Sequence, residues 1–314
     1  MRIRPAILLV FLGLAGLGAT CKGQKGDTPD IAKIPSSPPP VPSDPAKKPL
    51  AVPELPGLDL ARIRPESRVE LMRILNENFC YCGCPRTIAA CLASKADCPC
   101  VKCSERMKNF VVQLFEIGMS TQEIEASLLE GFSEGYNGRE QRFDLKDRPS
   151  KGPENAKYTL VEFADFHCSH CKAAFEPLSE LVKRHPDVRL VYIYFPLGGP
   201  DAPGVLAAEA AEEARLQGKF WELSRLLFEY QHALEEESLL KYGREVGMDE
   251  AKLKTALTKH THLARVLDAK KIGVGVNVES TPTIYVNGRP FGMPRTLDAL
   301  EMRLEMEDER GRCE

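Results

Sequence analysis

The sequence predicts a mixed α/β fold (α+β in layout) in its second half, carrying a long helical insertion. A small all-α segment dense in cysteine precedes it. Three observations predict this. An apolar run from Tyr158 to Phe163 turns at once into a helical pattern, and a second apolar run follows from Val188 to Leu197. After a helical block, "STPTIYVNGRPF" sets Asn287-Gly288 between two β-forming stretches, which signals a hairpin. Seven of the chain's 11 cysteines lie between Cys80 and Cys103, with helical patterns on both sides.

A length of 314 residues allows one or two domains. Lys and Arg number 42 against 45 Asp and Glu, so no strongly basic face is available and no nucleic-acid partner is expected. A hydrophobic share of 43% suffices for a core. Beyond the N-terminus no stretch is long and apolar enough to span a bilayer. The first residues have the form of an export signal: Arg2 and Arg4, an apolar run from Ile7 to Leu17, then small residues up to Cys21. Cys21 resembles a bacterial lipobox cysteine, although Gly18 and Thr20 stand where that pattern has Leu and a small residue. Lipidation at Cys21 and ordinary cleavage near Ala19 or Thr20 both fit, and either gives an exported chain. Acylation would hold the protein to a membrane surface without a spanning helix. Residues 22–57, with "SSPPPVPSDP", cannot bury apolar area and read as a disordered linker. At ~3 Å per residue it could reach ~100 Å, and simple disorder fits equally well.

The helical segment runs over residues 58–148. "PESRVELMRILNENF" spaces Val69, Met72, Leu75 and Phe79 by three and four, with Pro65 suited to a first turn. "SERMKNFVVQLFEIG" reads as a helix capped by Ser104, with Phe110, Leu114 and Ile117 on one face and Gly118 at its end. "STQEIEASLLEGF" opens on Ser120 or Thr121 ahead of Glu123, a capping arrangement. So small a unit calls for staples. Between the helices lie Cys80, Cys82, Cys84, Cys91, Cys98, Cys100 and Cys103. In an exported chain disulfides are the default. With Cys21 and one working pair set aside, these seven and Cys313 make eight, which can pair completely. Exchange-active thiols and zinc or iron–sulfur ligation also fit the C-x-C and C-x-x-C spacings, and connectivity cannot be read from spacing.

The second segment covers residues 149–314. Glu162 is the one acid inside the first strand; it is either buried for a reason or an edge residue in solvent. Cys168 and Cys171 fall where that strand becomes the helix of "HCSHCKAAFEPLSELVKRH". A sulfur at a helix N-terminus meets unpaired N–H groups and the positive end of the dipole, which favour thiolate. His170 in the spacer can add to this when protonated. Cys171, a turn deeper, should be more buried and keep its proton more tightly. The pair then divides its labour: Cys168 exchanges with substrate and Cys171 resolves the mixed disulfide. Strand, helix and strand imply a parallel crossover. The helical block from Pro203 to Ile272 breaks at Gly218, Gly243 and Gly247, with Asp249 as a cap. Thr283 to Val286 forms a strand, Arg289 to Phe291 starts the return strand, and Thr296 caps a closing helix. His185, His232, His260 and His262 read as solvated.

"VEFADF" before CSHC, the insertion with "QGKFWE", and "STPTIYVNGRPF" together resemble the DsbA-like thioredoxin-fold proteins over residues 150–308. The resemblance implies a thioredoxin fold with a helical insertion and a redox pair at Cys168 and Cys171. It implies a cis-proline at Pro282, after Thr281, facing the pair. It also implies a buried acid at Glu162 that moves the resolving thiol's proton. The Ser-His spacer departs from the family's usual Pro-His, which leaves the redox potential open. The cysteine-rich segment is weakly similar to the three-helix cytochrome c maturation thiol reductase domain, with different cysteine spacing; no residue is carried over.

Taken together, the sequence predicts an exported, lipid-anchored thiol–disulfide oxidoreductase of the periplasm or cell envelope, acting as an oxidant. No organic cofactor is expected, since the Cys168–Cys171 disulfide itself carries two electrons. Expected partners are exported protein thiols and disulfides, a membrane or periplasmic recycling partner, and the membrane surface. Two alternatives stand: a reductase or isomerase serving cytochrome c or metal-site thiols, and a copper or zinc carrier using CSHC, His167 and the cysteine-rich loop.

Overall fold

The computed structural model describes residues 55, 58–82, 84, 86–95, 98 and 100–310. The export signal, Cys21, nearly all of the Pro-rich linker and Cys313 lie outside them. Residues 51–314 form one compact unit. Among the described residues no helix is long and apolar enough to cross a membrane.

Four helices build the cysteine-rich segment. Helix α1 spans Pro65–Glu77, α2 spans Ile88–Ala93, α3 spans Val101–Glu116 and α4 spans Thr121–Leu128. Pro65 opens α1, as its fixed φ favours. The stripe that α1 buries is Leu71, Met72, Ile74 and Leu75, whereas Val69 and Phe79 are exposed. The spacing alone put Val69 and Phe79 inside. Contact with α2 and α3 rotates the buried stripe around the helix, because those neighbours cover only one side of α1.

Helix α3 also begins earlier than its sequence suggests. Cys100 is its N-cap, and the expected cap, Ser104, is fully buried one turn inside. Phe110 and Leu114 are buried as expected, but Ile117 points to solvent beyond the helix end. Gly118, at φ +83°, terminates it. Helix α4 starts on a full capping box between Ser120 and Glu123. A π-helical turn, Leu129–Glu134, and a short α5, Gly135–Asn137, complete the segment.

The sheet follows in the order β1-β3-β2-β4-β5. Its strands are β1 (Ser150–Lys151), β2 (Tyr158–Ala164), β3 (Val188–Tyr194), β4 (Thr283–Val286) and β5 (Arg289–Pro290). Strands β2 and β3 are parallel, joined by α6 (Ser169–Arg184); the other pairings are antiparallel. The second apolar run leaves the ladder at Tyr194 rather than Leu197, because Pro196 has no N–H to donate. Asn287 and Gly288 both take positive φ, as a type I′ turn requires. The Asn287 side chain also accepts from Thr159 N at 2.9 Å and ties the turn to β2.

Between β3 and β4 lies the helical insertion: α7 (Pro203–Leu216), α8 (Phe220–Glu229), α9 (Glu236–Glu245), α10 (Glu250–Thr258) and α11 (Leu263–Gly275). Asp249 caps α10, and Thr296 caps the closing helix α12 (Leu297–Asp308). His262 is not solvated as expected. It packs against α7 with its Nε2 2.7 Å from Glu213, while His260 holds the buried Glu209 at 2.9 Å. His185 pairs with Glu301 on α12.

Two apolar cores result. One joins the cysteine-rich helices to Leu160, Leu190 and Val286 of the sheet, to Leu178 of α6 and to Leu304 of α12. The expected segments 58–148 and 149–314 share this core. The other joins Val161, Phe163, Phe166 and Tyr192 to the insertion helices and contains Cys171.

Candidate active site

The catalytic candidates converge where β2 gives way to α6. β2 is buried on both faces, and Glu162 within it is 2% exposed. The edge-strand reading of this acid is therefore ruled out. Its Oε1 has no hydrogen-bond partner among the described residues. With nothing to stabilise the anion, burial pushes its carboxyl up to about 8.

The turn after β2 is clamped by Asp165. Its carboxylate accepts from His167 N and from Leu197 N, each at 2.9 Å. Gly204 opens the first turn of α7 directly against that carboxylate; a Cβ there would sit 2.1 Å from Asp165 Oδ1. This close approach requires glycine.

Cys168 is the N-cap of α6, and Cys171 sits in its first turn. Cys168 is half-buried and Cys171 fully buried. The two sulfurs are not bonded to each other in this structure. The Cys168 thiol donates to the carbonyl of Thr281 at 3.3 Å. The next peptide bond, Thr281-Pro282, is cis. Burial, and after it the Glu162 carboxylate, raise the Cys171 thiol well above its ordinary range. Glu162, Cys168, Cys171, Thr281 and Pro282 are thus brought together from three separate stretches of chain. His170 and His167 stand exposed on the outer side of the turn.

One residue of this site escaped the sequence. Gln231, in the loop after α8, donates through Nε2 to the carbonyls of Phe166 at 2.7 Å and Cys168 at 2.8 Å. It fixes both ends of the exchanging loop from the insertion. No local pattern marks it, because a polar residue after a helix is ordinary. Replacing Gln231 with Ala is expected to leave two carbonyls short of a donor, cost about 1–2 kcal/mol of stability and slow exchange. Denaturant unfolding together with peptide-oxidation kinetics would check this; a variant unchanged in both would show the contacts to be incidental.

A family model described as Thioredoxin matches residues 145–306. The chain belongs to the thioredoxin family. The thioredoxin sheet is β1 to β5, and the helical insertion of this thioredoxin-fold chain supplies Gln231 and Gly204. Among curated relatives, the chain is 34% identical over 175 residues to the Na(+)/H(+) antiporter NhaA 3 of Salinispora tropica, covering 56% of this chain and 27% of that protein. It is 37% identical over 141 residues to NhaA of Herminiimonas arsenicoxydans, covering 44% and 22%. The match therefore spans well under half the length of these relatives. Among solved structures, oxidised BdbD from Bacillus subtilis is 24% identical with a TM-score of 0.49, over 54% of this chain and 97% of that one. A thioredoxin-like oxidoreductase from Silicibacter pomeroyi is 26% identical with a TM-score of 0.48, over 53% and 95%.

The cysteine-rich loop lies outside the thioredoxin match. Cys91 and Cys98 form a disulfide, and Cys84 Sγ lies 3.7 Å from Cys91 Sγ. Cys80 and Cys82 are thiols. Cys313, the eighth cysteine of the complete pairing, lies outside the described residues.

Proposed function

We propose that this chain is an exported thiol–disulfide oxidoreductase of the cell envelope, lipid-anchored through Cys21, that oxidises protein thiols. One observation carries the reading: a half-exposed sulfur at the N-cap of α6 stands over a fully buried partner sulfur, beside a buried acid and the loop of cis-Pro282.

In the oxidising direction the cycle begins from the Cys168–Cys171 disulfide. A substrate thiolate attacks Cys168 Sγ, the only sulfur of the pair that solvent reaches. The new bond joins substrate sulfur to Cys168, and the electron pair of the broken bond leaves on Cys171. A thiolate raised so far in basicity takes a proton, and in this reading that proton comes from Glu162, which burial keeps protonated up to about pH 8. A second substrate thiolate then attacks the first substrate sulfur and expels Cys168. The substrate gains a disulfide and the enzyme keeps two electrons as a dithiol. A recycling partner that accepts those electrons completes the turnover.

The backbone around the pair supports this assignment of roles. The Thr281 carbonyl holds Cys168 in place, and Gln231 and Asp165 fix the loop on either side. Cys171→Ala is expected to accumulate a mixed disulfide between Cys168 and substrate, because no internal sulfur remains to resolve it. Non-reducing electrophoresis and mass spectrometry of the envelope fraction would detect the adduct. The adduct forms when the Cys168 thiolate attacks a disulfide already present in the substrate and expels one substrate thiolate, so absence of any adduct with disulfide-bonded protein would refute the assignment. Starting the unsubstituted enzyme from its oxidised or reduced form distinguishes an oxidant from a reductase.

A further inference from the structure

Three sulfurs that the redox pair does not use meet around α2. Cys91 lies within that helix and is fully buried; Cys84 precedes the helix and Cys98 follows it, both buried. Cys91 and Cys98 form a disulfide, and Cys84 Sγ, a thiol, lies 3.7 Å from Cys91 Sγ. All three sulfurs lie within 4.8 Å of one another.

A thiol in contact with a disulfide is a reactant beside its target, because disulfides break by attack of a thiolate on one of their sulfurs. Chain length does not hold this bridge in its present place. Cys91–Cys98 spans a sequence separation of 7, and Cys84–Cys91 spans the same 7. Closing either loop in the unfolded chain costs the same entropy, so the choice between them falls to the folded packing. That packing sets Cys84 against the bridge. Cys91 is common to both loops and is held in α2, whereas its two partners lie outside the helices.

We infer that Cys84, Cys91 and Cys98 form an internal thiol–disulfide exchange site, in which one bridge moves between the two flanks of α2. The Cys84 thiolate attacks Cys91 Sγ. The Cys84–Cys91 bond forms as the Cys91–Cys98 bond breaks, and the electron pair of the broken bond leaves on Cys98. Cys98 takes up the proton that Cys84 gave up, so the trio keeps its oxidation state and no outside oxidant enters. Attack along the S–S axis requires Cys84 and Cys98 to swing about their χ1 bonds while Cys91 stays in place. In one position the bridge ties α2 to the approach to α3; in the other it ties α2 to the stretch after α1. Burial of all three sulfurs keeps protein substrates away, so the exchange is internal and does not depend on Cys168.

The test uses the full chain, purified without reductant and held at about pH 8.5, where thiolate is abundant. Samples are quenched in acid, free thiols are blocked with a maleimide in denaturant, and the blocked fraction of each cysteine is read by peptide mass spectrometry. Cys91 should stay unblocked, and the blocked fractions of Cys84 and Cys98 should sum to about one, with Cys98 blocked in at least ~10% of chains. Cys98→Ser should carry the Cys84–Cys91 bridge, and Cys84→Ser the Cys91–Cys98 bridge alone. Cys84 blocked in every chain and Cys98 in none would show a fixed staple and overturn the inference, as would a bridge from Cys84 to a cysteine outside the three. Because the blocked fractions are read on the unsubstituted chain, a misfolded variant does not blur the result.

Discussion

Cys168→Ser is expected to abolish thiol–disulfide exchange, lowering turnover by at least ~10³-fold, the order of loss that follows removal of a covalent nucleophile. A serine hydroxyl cannot form the mixed disulfide, and Cys171 cannot take over because it is fully buried. The substitution should leave the fold intact. Cys168 is half-buried, and its thiol contact is a bond donated to the Thr281 carbonyl, which a serine hydroxyl can also donate. Insulin reduction and peptide oxidation, read beside the thermal transition, separate loss of chemistry from loss of structure. A folded variant that turned over within about tenfold of the parent would end the proposed role of Cys168.

The second large effect is a pH-dependent gain in stability from Glu162→Gln. In the unfolded chain this carboxyl ionises near its ordinary 4.5, and in the fold only near about 8. Between those values the folded state holds a proton that the unfolded state has lost, so stability falls as pH rises through that window. The whole difference is on the order of 5 kcal/mol as an upper bound. Glutamine is neutral throughout and removes the slope. The variant should therefore match the parent near pH 4.5 and exceed it by several kcal/mol near pH 8. Cys171 is also raised, but an ordinary thiol keeps its proton below about pH 8.5, so it adds no slope in this window. Urea unfolding of the reduced protein from pH 4.5 to 9 measures the effect; parallel curves for the two proteins would show that Glu162 is already ionised in the fold. The same variant should oxidise peptides more slowly, since Cys171 leaves without its nearby proton source. Stability and rate thus move in opposite directions, as they do where a buried acid is kept for chemistry.

Both predictions follow from a neutral or reactive group held where a different residue would be more stable. Among the described residues Glu162 Oε1 has no partner, and the turn that holds Cys168 needs Asp165, Gly204 and Gln231 to keep its shape. Part of this could be read from the chain before folding. The change from a β pattern to a helical pattern at Phe166 to Ser169 places a sulfur at a helix start. The caps Ser120, Asp249 and Thr296 and the Asn287-Gly288 turn declare themselves for the same reason: each is decided by contacts within a few residues.

What sequence by itself determined was local: the strand-to-helix turn, the dithiol spacing, the caps, and the hairpin that carries the Pro282 loop toward β2. Tertiary structure alone decided the rest. It chose which face of α1 is buried, left Ile117 in solvent, made Ser104 a neighbour of Cys80 instead of a cap, and brought Gln231 across 63 residues to the Cys168 carbonyl. It also joined Cys91 to Cys98 out of the many pairings the spacing allowed. The reason is physical. A cap or a turn depends on backbone groups that are neighbours in any conformation. Burial of a face, loss of solvent around an acid and the meeting of two sulfurs depend on which distant surface arrives to cover them.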